Sequence, residues 1–315
     1  SMLLIRPLII ANNYRKYKIH TVVFFIFLVA NIGGSLTPLG DPPLFLGFLS
    51  GVDFFWTTKV MFLPMILLTL LLLLIYFIVD SYYYNKKEYQ KVTVLANQKS
   101  ISINGKFNIL LIIGVICSVL LSGIWKPSIL IPDVFGVHLE FQNILRDLLL
   151  LLLTYFSWSF TPKSIRMDNA FTWFPIQEVA KLFVGIFITI IPAIAILKAG
   201  LKGKLSILIE MLSNSDGQPI NQMYFWLTGI LSSLLDNAPT YLVFFNIAGS
   251  ASANTNTAEY LMNIIPGTLL AISMGAVFMG AMTYIGNAPN FMVRSIAEEN
   301  KIKMPSFFGY MSWSC

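Results

Sequence analysis

Charge is what this sequence lacks most. Of its 315 residues 11% are Asp, Glu, Lys or Arg, whereas a soluble globular chain carries about 25%, so most of the chain does not face water. Cysteine and histidine are scarce as well. Cys117, inside an apolar run, and Cys315, at the last position, supply neither a disulfide framework nor a metal-ligand spacing. His20 and His138 lie far apart in the sequence and are expected at membrane edges, so no metal cluster is visible. A Walker A phosphate loop is missing, which argues against an ATP-driven pump unless a partner subunit brings one. No cleavable signal-peptide pattern is apparent: Leu3–Ala11 is short and is followed, not preceded, by basic residues. The net charge of +6 is spread over loops, which argues against a nucleic-acid partner.

What fills the chain is apolar: 56% hydrophobic residues, with a mean hydropathy of +0.73. Met2–Ala11 reads as the tail of an apolar helix ending at the basic segment Asn12–Lys18. Val60–Val79 is a near-uninterrupted apolar run, long enough for a roughly 30 Å hydrocarbon core. Asp80–Lys106 is polar and basic and is expected to form a solvated cytoplasmic connector. Phe107–Trp125 and Ile144–Phe160 are the next expected spans, with Thr161–Glu178 an aromatic interfacial segment. Val179–Leu197 is expected to cross again, kinked at Pro192, and Pro305–Trp313 to begin a further span. The runs Leu67–Leu74 and Leu148–Leu153 read as lipid-facing. The fold class is therefore an all-α polytopic membrane protein bound in a lipid bilayer.

Two apolar segments are interrupted in the same way. Between Val22–Ala30 and Leu44–Leu49 lies Asn31-Ile32-Gly33-Gly34-Ser35-Leu36-Thr37-Pro38-Leu39-Gly40-Asp41-Pro42-Pro43. Its glycines and three prolines cannot continue an ordinary helix. Freed backbone groups at membrane depth are tolerated only where protein or a water-filled cavity satisfies them. Setting residues 34–45 against 280–291 pairs Gly34 with Gly280, Thr37 with Thr283, Gly40 with Gly286, Pro43 with Pro289 and Phe45 with Phe291. Asp41 then faces its amide analogue, Asn287. Paired, interrupted segments in corresponding halves are the best sequence pointer to a secondary transporter's binding site. This predicts broken helices over 20–49 and 262–297, in repeats covering 1–79 and 107–315 with the connector 80–106 between them.

Residues 221–248 are apolar except at Asp236-Asn237-Ala238-Pro239-Thr240 near the middle, which fits either one kinked span or a re-entrant hairpin. Charge chooses the hairpin. With it, only Lys59, Lys126, Arg146, Lys198, Lys202 and Lys204 of the 21 Lys and Arg fall outside the cytoplasmic side. A full crossing would move Arg294, Lys301 and Lys303 out as well, against the positive-inside rule. The hairpin also makes the two broken helices run in opposite directions, as inverted repeats. Lys198, Lys202 and Lys204 remain a local violation of the rule.

The combination Gly33-Gly34-x-x-Thr37-x-x-Gly40-x-Pro42-Pro43, Ser233-x-x-Asp236-Asn237-x-Pro239-Thr240 and Gly286-x-x-Pro289-Asn290 resembles the ion-transporter superfamily. That superfamily includes divalent-anion/sodium symporters, NhaD-type sodium/proton antiporters and arsenite permeases. The nearest resemblance is to the group labelled sodium:proton antiporter or citrate transporter. It implies a hairpin and then a broken helix in each repeat, enclosing the substrate. The first repeat shows only its broken helix, and the chain stops inside a span at Cys315, so the resemblance implies an N-terminally truncated reading frame. It further implies an inner-membrane, multi-pass secondary transporter without a cofactor, using Na⁺ and H⁺ as coupling ions. Its partner is a small inorganic cation or a small anionic substrate, and a homodimer is left open.

The chemistry expected at the breaks follows from the residue types. An ionisable residue inside a membrane span is by default a functional hypothesis, which singles out Asp41 and Asp236. Desolvation disfavours the charged form of a carboxylate, so one such group can exchange a proton for Na⁺. The hydroxyl and amide oxygens of Ser35, Thr37, Asn237, Thr240, Thr283, Asn287 and Asn290 are the remaining candidate ligands. Alternatively these groups only satisfy backbone at the breaks, and Asp41 only caps the half-helix that starts at Pro42. Asp41 stands where the anion symporters carry a neutral hydroxyl residue, which favours cation/proton chemistry over citrate binding. Arg294 reads as a membrane-edge anchor. A different class, an intramembrane aspartyl protease with Asp41 and Asp236 as a dyad, meets Pro38 where Gly-x-Gly-Asp needs glycine. A non-transporting fragment or assembly partner is the third reading.

Overall fold

The computed structural model describes residues 2–85, 105–125, 140–168, 171–173, 210–250 and 256–314, with isolated positions between 127 and 192. Two compact units emerge, Ser1–Val92 with Phe174–Cys315, and Thr93–Trp173. Apart from one isolated bridge between Ser213 and Pro219, the described residues carry helices and turns.

In the smaller unit, α5 (Phe107–Ile124) packs along α6 (Phe141–Phe160). Close approach is possible at Gly114, where a Cβ would stand 2.9 Å from Leu153 Cδ2. One end of the pair is tied by Asn108, whose Nδ2 donates to Thr161 Oγ1 at 2.9 Å while its Oδ1 accepts from Ser157 Oγ at 2.9 Å. α6 begins at Phe141 rather than Ile144, and it is not among the helices long and apolar enough to cross a membrane. The reason is its polar first two turns, in which buried Arg146 pairs with Asp147 at 2.9 Å and donates to Asn143 at 3.1 Å. After the short α7 (Lys163–Asp168), the Arg166 guanidinium lies 4.0 Å over the Trp158 ring, and Trp158 packs against Phe171 and Trp173. Such aromatic–basic clusters suit a membrane interface. Lys86–Asn104 and most of Val179–Leu197, with Lys198, Lys202 and Lys204, lie outside the described residues, as does His138.

In the larger unit, α1 (Met2–Ala11) is followed by α2 (Ile19–Phe25), a π-helical turn Ile26–Asn31, a 3₁₀ turn Ile32–Gly34, and then α3 (Pro42–Leu49). α4 (Trp56–Asn85) is the longest described helix. Phe62, Leu63, Leu67, Leu74 and Phe77 are all more than half exposed on it. An apolar face of that extent is expelled from water and matches lipid. α4 and α5 are long and apolar enough to cross a membrane.

α4 also runs past the expected end of its span, so Asp80 belongs to the helix and not to a solvated connector. Its Oδ1 accepts from Arg15 Nη1 at 2.7 Å and lies 2.8 Å from Nε2 of His20, a buried residue wedged against Tyr76 and Tyr83. A buried imidazole packed this way ties α2 to the end of α4.

The second half of the unit comprises α8 (Asn221–Leu235), α9 (Asn237–Gly249), α10 (Thr257–Asn263), α11 (Pro266–Phe278) with a 3₁₀ turn Met279–Met282, α12 (Ala288–Glu299) and α13 (Phe307–Ser314). The second interrupted helix starts at Pro266, not at Met262. The chain turns by 102° between Thr257–Asn263 and Pro266–Met282, so Met262 and Asn263 belong to α10. Pro266, at the first helical position where its missing N–H costs nothing, starts α11.

The two largest apolar cores hold most of these elements. One joins α1, α2 and the π-helical turn to Tyr284, Val293, Ala297 and Tyr310. The other joins Tyr241, Phe244 and Phe245 of α9 to Tyr224 of α8 and Leu269 and Ile272 of α11.

Candidate ion and substrate site

The two breaks are built alike. In each a 3₁₀ turn leads into a short non-helical passage, an extended residue, and a helix with proline in its first turn. The extended residues are Asp41, with φ −149° and ψ 139°, and Asn287, with φ −155° and ψ 134°. Each passage is closed by its matched glycines. A Cβ on Gly40 would stand 2.2 Å from the Gly34 carbonyl oxygen, and one on Gly286 2.6 Å from the Gly280 carbonyl oxygen. The third interruption, between α8 and α9, is a single residue: Asp236 adopts φ 98°. A non-glycine in that region is worth a functional question.

These three interruptions meet at Asp41. Its carboxylate is buried, at 3% exposure, and forms no cap hydrogen bond to its own helix although it occupies the N-cap position. Instead, Asn237 Nδ2 donates to its Oδ1 at 2.9 Å, and Asn287 Nδ2 lies 3.3 and 3.4 Å from Oδ1 and Oδ2. The backbone closes the same contact, since Asn237 N–H donates to the Gly286 carbonyl at 3.1 Å. Three oxygens at the interruptions are buried and accept nothing: Asn237 Oδ1 and Asn287 Oδ1, on the carboxamides that touch Asp41, and Ser35 Oγ in the first break. Among the described residues, no basic side chain hydrogen-bonds to or pairs with Asp41. A buried carboxylate beside unpartnered amide oxygens fits a hard cation, which takes oxygen ligands.

The sequence model of the family described as "Putative citrate transport" matches residues 1–315. The chain belongs to this family. Comparison with curated proteins and with solved structures returns no match. With its two crossing-length helices, this member of the citrate-transport family is an integral membrane protein built from helices.

Among the residues singled out in the sequence, Asn237 and Asn287 both touch Asp41 in this family member, and Ser35 is buried with a free hydroxyl. Others are spent on the backbone. Thr283 Oγ1 donates to the Ser233 carbonyl and accepts from the N–H groups of Ile285 and Gly286. Thr240 Oγ1 donates to the Asp236 carbonyl at 2.8 Å, and Asn290 Nδ2 donates to the carbonyls of Gly280 and Thr283. Thr37 is half-buried and contributes its carbonyl to a turn closed by Gly40. Asp236 is half-buried and makes no hydrogen bond to Asp41, whose side-chain partners are Asn237 and Asn287. Arg294 pairs with Glu298 at 3.0 Å and lies 4.6 Å over the Tyr284 ring.

One residue was not among those candidates: Asn31. Fully buried, it accepts from Asn287 Nδ2 at 3.0 Å and donates to Asn290 Oδ1 at 2.7 Å and to the Ile26 carbonyl at 2.8 Å. The last bond reaches back five residues, the spacing of the π-helical turn that Asn31 ends. The signal in the sequence is an amide at the end of an apolar run, just before Gly33-Gly34. Asn31→Ala would leave Asn290 Oδ1 without this donor and Asn287 with one acceptor fewer. It is expected to cost about 2 kcal/mol, the penalty for stranding buried polar atoms. Denaturant unfolding of the micelle-solubilised chain measures this, and an unchanged midpoint would mean the network holds nothing together.

Proposed function

We propose that this family member is a secondary active transporter of the bacterial inner membrane that exchanges Na⁺ for H⁺ at Asp41. The observation that carries the reading is a buried carboxylate with no basic partner, bonded by two carboxamides whose own oxygens are unpartnered. Na⁺ would be held by the Asp41 carboxylate with the amide oxygens of Asn237 and Asn287 and the Ser35 hydroxyl. A proton on Asp41 would neutralise the same carboxylate, so the two ions compete for one group. Asp236, half-buried at its own break, adds a second negative charge that favours a cation.

The matched glycines, extended residues and helix-starting prolines support reading 34–45 and 280–291 as repeats inserted in opposite directions. Opposed half-helices bring their N-terminal positive ends, and the unwound backbone between them, to a common point.

The family description favours a second reading, in which the same cation site drives uptake of citrate or a related carboxylate. One assay separates the two: the chain in proteoliposomes, internal pH followed after a Na⁺ pulse, with and without citrate. Antiport predicts alkalinisation or acidification of the lumen, according to the gradient imposed, without citrate. Silence until citrate is added, followed by its accumulation, would replace antiport with symport. Silence under every condition would reject both.

A further inference from the structure

In the larger unit, the linker after α1, the start of α2, the end of α4, the linker before α13 and α13 itself line an open pocket of about 270 Å³. Four lysines line it: Lys16, Lys18, Lys301 and Lys303. They come from chain positions almost 300 residues apart, yet share one basin. The acids on neighbouring elements already have cations of their own. Asp80 is bound by Arg15 and faces His20, Glu299 pairs with Arg6 at 3.6 Å, and Glu298 pairs with Arg294 at 3.0 Å. Lys16, Lys301 and Lys303 make no ion pair with a described acid. Positive charge is therefore left over where the walls converge.

The walls are built and not merely charged. Lys18 Nζ is held at 3.1 and 3.2 Å by the side-chain and backbone oxygens of Asn13. Lys301 takes φ 61°, which bends its linker, and the turn is closed by Lys301 N–H on the Glu298 carbonyl and Ile302 N–H on the Ala297 carbonyl. Aromatic rings complete the lining: Tyr17 and Tyr83, 5.1 Å apart, and Trp313. Lysines beside Tyr and Trp at helix ends mark the level of lipid headgroups, and basic pockets between helices take phosphate-bearing groups. The volume, at the small end of ligand pockets, suits a headgroup rather than a peptide.

We propose that this basin binds a phosphate-bearing anion, supplied either by an anionic phospholipid headgroup or by free phosphate. The site is independent of Asp41 and of the transport reading.

The test is thermal unfolding of the full chain in neutral micelles at constant ionic strength. The additions are dihexanoyl-phosphatidylglycerol, dihexanoyl-phosphatidylcholine, sodium phosphate or sodium chloride. The phosphatidylglycerol is expected to raise the midpoint saturably, and the phosphatidylcholine and chloride not to. If phosphate alone reproduces the shift, the soluble anion is the source; if it does not, the lipid is. Each lysine at such a surface contributes about fivefold in affinity, so Lys303→Gln should weaken the anion about fivefold and Lys16→Gln with Lys303→Gln about thirtyfold. Both lysines are exposed, so neither change disturbs packing. Lys59→Gln, at the start of α4 and outside the basin, should leave the affinity as it is. No shift beyond that of chloride, an equal shift with phosphatidylcholine, or wild-type affinity in the double variant would each overturn the proposal.

Discussion

Replacing Asp41 with Asn is expected to lower Na⁺-driven proton flux in proteoliposomes about 100-fold or more while leaving the unfolding midpoint nearly unchanged. The charge pair lost between a buried carboxylate and its cation is of the size that costs 2–5 kcal/mol, roughly 30-fold to several thousandfold, when one partner is removed. Folding should survive because Asn keeps an oxygen for the amide of Asn237 or Asn287. Its new N–H groups can also serve the oxygens of those two residues that now accept nothing. Asp41→Ala removes the acceptor altogether and strands buried amide donors, which is expected to cost about 1–3 kcal/mol. The capping alternative makes the opposite forecast. An N-cap Asn serves as well as Asp, so Asp41→Asn would then transport normally and only Asp41→Ala would suffer. The geometry disfavours that outcome, since the carboxylate turns away from its own helix and makes no cap bond. Normal flux in Asp41→Asn would reduce Asp41 to a structural acceptor and end the exchange mechanism.

The second large effect is expected at the glycines that close the breaks, and it should be graded by clearance. A methyl group on Gly40 meets backbone at 2.2 Å and on Gly286 at 2.6 Å, whereas on Gly280 the nearest atom is 3.3 Å away. Because the obstructing atoms are carbonyl oxygens of the same passage, no side chain can swing aside. Gly40→Ala is therefore expected to destabilise the chain by about 3 kcal/mol or more, the upper range for overpacking, with Gly286→Ala somewhat less. Gly280→Ala should stay within about 1 kcal/mol of the parent. Yield and thermal midpoint in micelles measure the series. A Gly40→Ala chain as stable as the parent, or a Gly280→Ala chain worse than Gly286→Ala, would remove the shared closure from the account.

The legible part of the site was the local part. Glycine and proline act on the few residues around them, so both breaks stand out from one sequence at 34–45 and 280–291, and Asp41 stands out as an acid in an apolar run. The boundaries were less legible. The second interrupted helix begins at Pro266 because the chain turns sharply after α10, and the apolar pattern continues through that turn without marking it. α6 is less apolar than its leucine run suggests, because its first turns are polar.

Which polar groups remain available could not be read from the sequence at all. Ser35, Thr240, Thr283, Asn237, Asn287 and Asn290 are equivalent candidates by type and by position near a break. The folded chain divides them: the hydroxyls of Thr240 and Thr283 and the amide N–H groups of Asn290 go to backbone carbonyls, while Ser35 and one oxygen each of Asn237 and Asn287 are left over. That division depends on carbonyls freed at breaks elsewhere in the chain.

By itself, the sequence determined an apolar helical chain for lipid, two matched interruptions in it, and a carboxylate at one of them. Each follows from composition or from the backbone limits of single residues. Only the tertiary structure decided that Asn31 joins Asn287 to Asn290, that Asp41 faces Asn237 rather than capping its helix, and that Lys16 and Lys303 share a pocket. Those pairings span 196 to 287 positions along the chain. Hydrogen bonds and charge act over a few ångströms of space, and only packing of the helices determines which distant residues come within that reach.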